Sequence, residues 1–347
     1  MKTSFKFAAM ALLVSAAAAA SAQSTVTLFG IVDIAARNVK TGDNSMTSLA
    51  SGGINTSRLG VRGTEDLGGG LTAGFWFEAG FNADSGTQSD TTRFFNRRST
   101  ASLTGSFGEV RLGRDFTPTY TAYSDFDTFG DNGVAAGSKF FQKHGTTVDT
   151  NTRADNEVSY FLPGNLGGFY GQVSAAAGEG TSGKKYMGGR GGYAAGPINV
   201  SLAYGQNTVT ALTGTSDDKY KVTTLGASYD LGVAKLMGYY SENKYASLKA
   251  ATYNLGAIVP VTPLASLKLA YTKLNASGAL NGKSSDANDA SQVALGGIYN
   301  LSKRTAVYGT YARVSNKGAA TYVIDTSVAA AAGRNSTGYE LGLRHAF

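Results

Sequence analysis

Cysteine is absent from the 347 residues, which excludes a disulfide scaffold. Histidine occurs twice, at His144 and His345. A Ser-His-Asp or Asp-His hydrolase needs a histidine within reach of a nucleophile, and neither position is accompanied by such a motif. Charged residues amount to 16%, below the roughly one quarter usual in soluble domains. Proline is limited to five positions. The acids show no EF-hand spacing, so no metal and no cofactor is expected. Beyond residue 22 no apolar run is long enough to cross a bilayer as a helix. The net charge of +7 is scattered singly rather than in basic runs, which gives no reason to expect a nucleic-acid partner.

The first 22 residues differ from the rest. Lys2 and Lys6 precede an apolar run from Phe7 to Ala20, and Ala20-Ser21-Ala22 is a small-x-small site. The run is shorter than the roughly 20 residues a spanning helix needs. Residues 1–22 are therefore expected to be a signal peptide, cleaved before Gln23. The mature chain, 23–347, would then carry +5.

What the chain has in quantity is glycine, at 46 positions, and aromatics, with 19 Tyr and 17 Phe. From Gln23 onward apolar and polar residues alternate in runs separated by Gly, Asn and Asp. In 71–81, Leu71, Ala73, Phe75, Phe77, Ala79 and Phe81 share one face and Thr72, Trp76 and Glu78 the other. This period of two marks half-buried strands. Sixteen such runs are expected, near 26–37, 57–65, 71–81, 94–104, 107–114, 153–162, 169–177, 186–195, 198–206, 218–230, 233–244, 251–261, 264–274, 291–300, 304–314 and 336–347. Short Gly-rich connections alternate with long polar ones, at 38–56, 82–93, 115–152, 178–185, 207–217, 245–250, 275–290 and 315–335. That asymmetry is the layout of an outer-membrane barrel. A sheet in hydrocarbon must close, and sixteen strands enclose water. The expected fold is all-β, a 16-stranded antiparallel transmembrane β-barrel. Tyr and Phe near strand ends, such as Phe94, Phe169, Tyr239 and Phe347, suit the interfacial girdles.

Residues 115–152 break the alternation. A connection this long inside a compact fold is functional or disordered. Its seven aromatics, from Phe116 to Phe141, argue against disorder. It is expected to fold into the lumen and narrow it.

Six separated segments resemble trimeric general porins of the beta-proteobacterial outer-membrane type: QSTVTLFGIVDIAA, SRLGVRGTEDLGGGLTAGFWFE, RRSTASLTGSFGEVRLGRD, LGASYDLGVAKLMGYY, YNLSKRTAVYGTYA and LGLRHAF. The resemblance covers 23–347 and is weakest in the long loops. It implies a homotrimer, a third loop inside the barrel, and passage of small hydrophilic solutes, often anions. It implies that Phe347 ends an insertion signal read on the C-terminal strand by barrel-insertion machinery. Partners would be outer-membrane lipid, lipopolysaccharide, and small anionic or neutral solutes. Outward small residues, Gly30, Ala36, Gly63, Ala73 and Ala101, suit close approach of neighbouring barrels.

Alternation sends Arg58 and Arg62 into the lumen, and Arg153 shares register with Asp155 and Glu157. Counting from Leu103 favours Arg98 inside. The resemblance instead places an arginine cluster at Arg58, Arg97 and Arg153, which a bulge would reconcile. Guanidinium stays charged when crowded and forks onto carboxylate or phosphate. Facing them, Asp125, Asp127 and Asp131 would complete a transverse field at the constriction, or else bond the loop's own backbone as turn residues. The reading is a diffusion porin favouring anions. A substrate-specific channel, a plugged adhesin and a barrel hydrolase are the alternatives.

Overall fold

A computed structural model describes residues 24–347; the leader expected at 1–22 lies outside the described residues. The strands are β1 (Thr25–Thr41), β2 (Asn44–Ser51), β3 (Arg58–Gly68), β4 (Leu71–Gly80), β5 (Arg98–Gly105), β6 (Gly108–Phe116), β7 (Arg153–Phe161), β8 (Phe169–Ala176), β9 (Tyr186–Ala195) and β10 (Ile198–Thr208). They continue as β11 (Lys219–Asp230), β12 (Lys235–Tyr245), β13 (Leu248–Pro260), β14 (Ala265–Ser277), β15 (Ala279–Leu280), β16 (Lys283–Ser284), β17 (Ala290–Asn300), β18 (Thr305–Asn316) and β19 (Ser336–Ala346). β15 and β16 pair only with each other, in an outer loop. β2 and β3 are two halves of one stave, both paired to β1. Sixteen antiparallel staves thus close into a barrel where β1 meets β19, from Ile31↔Ala346 to Thr41↔Ser336. Phe347 completes the seam, exchanging backbone hydrogen bonds with Gly30 at 3.0 and 3.1 Å.

The two faces follow the alternation. Leu255 and Leu341 on the outside are each 69% exposed, in a band that includes Leu202, Leu225, Leu269 and Val293. In a soluble protein such a band would be a liability; here it is the surface that lipid covers. Inside lie Glu157, Ser159, Ser201, Gln292 and Glu340.

Two connections expected to be long are tight turns. β1 runs to Thr41 and returns at Asn44; β12 ends at Tyr245 and β13 starts at Leu248. Gly42 and Ala246 take positive φ there, +58° and +50°. The ends of β1 and β12 are mostly polar, with Val39 and Tyr245 the apolar exceptions, so alternation of hydrophobicity gives little contrast and the sequence reads as loop. The stave made of β2 and β3 is also interrupted. Residues 52–57 lie opposite only Val32 and Asp33 of β1 and bulge from the ladder. The fully buried Asp33 carboxylate holds them, accepting from the backbone N–H of Gly53 (3.1 Å), Ile54 (3.0 Å) and Asn55 (2.7 Å), and from the Tyr308 hydroxyl.

The segment between β6 and β7 folds into the barrel. It opens with a short helix, α1 (Pro118–Ser124), whose start is set by Pro118 and by the Thr117 hydroxyl accepting from Tyr120 N–H. Tyr123, Phe126 and Phe140 are fully buried and Phe129 nearly so. Their seats on the far wall are glycines. Phe126 lies over Gly226 of β11, Thr128 over Gly256 of β13, Phe129 over Gly296 of β17 and Val134 over Gly338 of β19. A side chain at Gly226 or Gly256 would occupy the space of the loop residue above it.

Candidate functional site: the constriction

Opposite the seated loop, the wall built by β3 to β7 carries the arginines. β3 presents Arg58, whose Nη1 donates to Glu78 Oε1 of β4 at 3.2 Å and whose Nε donates to Thr56 O at 3.0 Å. Arg97 Nε reaches the same Glu78 oxygen at 2.5 Å, and Trp76 Nε1 donates to Glu78 Oε2 at 3.2 Å. Arg153, at the start of β7, donates Nε–H to the Arg97 carbonyl at 2.7 Å and lies over the Phe116 ring at 4.0 Å. No carboxylate among the described residues lies within ion-pair distance of Arg153. Two guanidiniums therefore share the Glu78 carboxylate and the third, Arg153, has none, an excess of two positive charges. Stacking on an aromatic face holds a guanidinium in place without neutralising it.

Arg97 and Arg98 both contribute to the inner surface, which strict alternation did not allow. Arg97 precedes the first residue of β5, so its direction is not fixed by the pleat. Arg98 continues the β5 parity, with Nε at 3.0 Å from Thr100 Oγ1, at 3.5 Å from Asp115 and its guanidinium 4.4 Å over Trp76. Arg62 is exposed and lies against the same Trp76 ring at 4.8 Å and Phe29 at 5.3 Å.

Of the two roles left open for the loop acids, Asp127 and Asp131 take that of turn residues. Asp127 does not face the lumen: it is buried, and its Oδ1 accepts from the N–H of Phe129 (2.8 Å) and Asp131 (3.3 Å). Burial pushes its carboxyl up to about 6, and the neighbouring Asp131 adds to the rise. Asp131 is bound by Tyr120 and Tyr123 hydroxyls at 3.0 Å each and by Ser138 N–H at 2.9 Å. Both are turn residues that stiffen the loop. Asp125 is exposed and pairs with Arg190 of β9 at 2.6 Å. The acid that meets the arginines is Glu78, on the wall beside them.

Further charged residues of the inner wall have partners that the sequence does not show. Arg37 and Glu340 are direct partners across the closing seam, joined at 2.7 Å, with Asp325 on the other guanidinium nitrogen at 3.0 Å. Glu340 Oε1 accepts from Val134 N–H at 3.3 Å, pinning the loop tip. Lys139 Nζ donates to Val134 O (3.0 Å) and Gln292 Oε1 (2.5 Å), and burial pushes its amine down to about 7. Parity alone places Arg37 and Glu340 inward, but their register across 303 residues was unreadable before closure. Arg111, Arg114 and Arg190 join the inner charges through Asp115, Asp155 and Asp125. His144 Nε2 donates to the Asn243 carbonyl at 2.9 Å.

The chain matches the Gram-negative porin family over residues 8–319. It is 42% identical to outer membrane porin protein 32 of Delftia acidovorans, over 96% of this chain and 97% of that protein. It is 28% identical to an outer membrane porin protein of Bordetella pertussis, over 88% of this chain and 93% of that protein. Among solved structures, an anion-selective porin from Comamonas acidovorans superposes with a TM-score of 0.82 at 39% identity, covering 94% of this chain and all of that one. A closed sixteen-stave barrel with an apolar outer band, together with these matches, establishes that the chain belongs to the Gram-negative porin family and is a channel of the outer membrane.

Proposed function

We propose that the channel passes small hydrophilic solutes by diffusion and prefers anions, without catalysis. The observation that carries this is the group of Arg58, Arg97 and Arg153 around the single carboxylate of Glu78. A solved relative named anion-selective supports the same reading. Rings of fixed charge set the selectivity of wide pores. Further along the wall, Arg62, Arg98, Arg111 and Arg190 each lie on an aromatic ring, at 4.8, 4.4, 4.2 and 5.0 Å from Trp76, Trp76, Phe161 and Tyr170. An anion leaving one guanidinium would meet the next. The test is the zero-current potential of the purified channel in a planar bilayer under a salt gradient. The sign expected is that of an anion-preferring pore; a cation-preferring sign would reject the reading.

A homotrimer is part of this proposal. Two of the small outward residues prove to serve the wall itself: Gly30 lies under the Phe347 ring and Gly63 under Phe75. Better support comes from a projecting aromatic group on the outer face of β4, where Phe75, Phe77, Phe95 and Phe94 touch in series at 5.5, 5.0 and 4.7 Å. Phe94 is 66% exposed, as an interface anchor would be in an isolated protomer. Unheated protein in mild detergent is expected to migrate near three chain masses, and Phe94→Ala with Phe95→Ala to loosen that species; a wild-type monomer by light scattering would reject the trimer. The mature N terminus is expected at Gln23, which the intact mass of outer-membrane material reads directly. Phe347, at the seam, is the residue we assign to recognition by the insertion machinery; its deletion is expected to lower the yield of heat-modifiable barrel.

A further inference from the structure

The single tryptophan of the chain, Trp76, stands where the register would put ion pairs. On β4, Glu78 lies directly opposite Arg98 of β5. Its direct partner on β3 is Gly60, so Arg58 and Arg62, two positions to either side of Gly60, are its diagonal neighbours. Opposite charges placed directly or diagonally across a ladder attract, and long side chains span the distance. Yet of these three arginines only Arg58 takes the carboxylate, and the second guanidinium on Glu78 is that of Arg97, from outside the strand. Among the described residues Arg62 has no ion-pair partner, and Arg98 has only Asp115, at 3.5 Å.

Trp76 accounts for both. It shares the inner face of β4 with Glu78, and its Nε1–H donates to Glu78 Oε2. Arg58 and Arg97 both lie on the other oxygen, Oε1. The indole plane is fixed by that bond and by Phe29, packed edge-on at 5.2 Å and 70°. The two guanidiniums then come from the staves on either side, Arg62 from β3 at 4.8 Å from the ring centre and Arg98 from β5 at 4.4 Å. A guanidinium on a ring keeps its charge, whereas one on a carboxylate is neutralised. Around the pair is a recess of about 480 Å³, lined also by the hydroxyl residues Thr27, Thr64 and Thr100.

Resting on the anion preference argued above, we propose that Trp76 is a positioning residue of the conduction path. It occupies Glu78 Oε2 and holds Arg62 and Arg98 on its faces, so that they stand apart from the carboxylate as a separate station for a small anion. Without the indole both guanidiniums would close on Glu78. The charges along this wall would then gather into one cluster with a gap on its periplasmic side. A passing anion would meet one deep well and a long step in place of two shallow wells.

The test is single-channel conductance of the purified full-length mature protein in dilute and in concentrated potassium chloride. Trp76→Leu leaves the net charge as it is and removes bulk from the wall, so a tryptophan that only fills space predicts unchanged or higher conductance. The expected result is the reverse in dilute salt, about a threefold fall, the factor that one unit charge about 6 Å from an ion supplies at the dielectric of water. Little change is expected at about 1 M, where the screening length is about 3 Å. Trp76→Phe, which keeps an aromatic face, is expected to restore most of the loss. The second readout is fluorescence, which in this chain reports one indole. Relative to a free tryptophan amide, iodide is expected to quench Trp76 more strongly than neutral acrylamide does, and Arg62→Gln to lower that iodide-to-acrylamide ratio about threefold. Three results would each overturn the proposal: conductance in dilute salt unchanged or higher in Trp76→Leu, equal loss in Trp76→Phe, or a quenching ratio unaltered by Arg62→Gln. A cation-preferring potential in the wild type would instead reject the reading on which the proposal rests, and the quenching ratio would still decide whether the station exists.

Discussion

Replacing Arg58 and Arg153 with glutamate is expected to move the zero-current potential from the anion side to the cation side. A guanidinium about 6 Å from a passing ion contributes roughly 0.7 kcal/mol at the dielectric of water and nearly 3 kcal/mol at an effective value of 20. One to two kcal/mol changes a ratio by about five- to thirty-fold. The double variant removes two such charges and adds two of the opposite sign. One of the new carboxylates would stand beside Glu78, which keeps only Arg97 and Trp76 as donors. The shift should be largest in dilute salt, since the screening length falls from about 10 Å at 0.1 M to 3 Å at 1 M. Because Arg153 also covers the Phe116 ring, Arg153→Gln serves as the milder change and should give a smaller shift in the same direction. An unchanged potential in a variant that still shows heat-modifiable mobility would mean that these arginines only brace the wall.

The second large effect is expected from the glycine seats. Gly226→Val and Gly256→Val would drive a side chain into Phe126 and Thr128 from behind. Overpacking costs about 1–3 kcal/mol per site. The wall is a continuous ladder and the loop is not, so the loop should yield. Single-channel conductance is expected to rise and selectivity to fall, because the lumen widens and the arginines retreat from the ion path. Gly191→Val is the control, as nothing lies within 4 Å of a side chain there. Higher conductance in the control alone, or an unchanged conductance in both seat variants, would show that the loop is held by Glu340, Lys139 and Gln292 and not by fit to the wall.

Much of this architecture was legible because a barrel writes its inside and outside on alternate residues. Phe75 and Glu78 could be assigned to opposite faces from neighbours one and two positions away. The same device failed where the alternation loses contrast or is broken. The turns at Gly42 and Ala246 were hidden because the ends of β1 and β12 are mostly polar, with Val39 and Tyr245 the apolar exceptions. The bulge at 52–57 was hidden because its fixing group, Asp33, comes from a different strand. Arg97 and Arg98 were irreconcilable by counting, since Arg97 stands just outside the pleat. For the loop, aromatic content foretold burial, and Tyr123 and Phe126 bear that out. Residue type left two roles open for Asp127 and Asp131, and it did not decide that they would spend their oxygens on the loop itself. Their donors are backbone N–H groups and tyrosine hydroxyls a few residues away, and only the folded path brings these together.

The glycine seats also constrain the order in which the channel can be made. The loop lies between β6 and β7, yet it rests on β11, β13, β17 and β19. Its last contacts, Val134 with Gly338 and with Glu340, involve the final stave. Contacts between residues so distant in the chain form late, because the intervening segment must be organised first. An assembly intermediate lacking the last staves would have the arginines in place on its early wall and no floor for the loop to rest on. Narrowing of the aperture is therefore a final step that reports completion of the cylinder, and a stalled precursor would leak without discrimination.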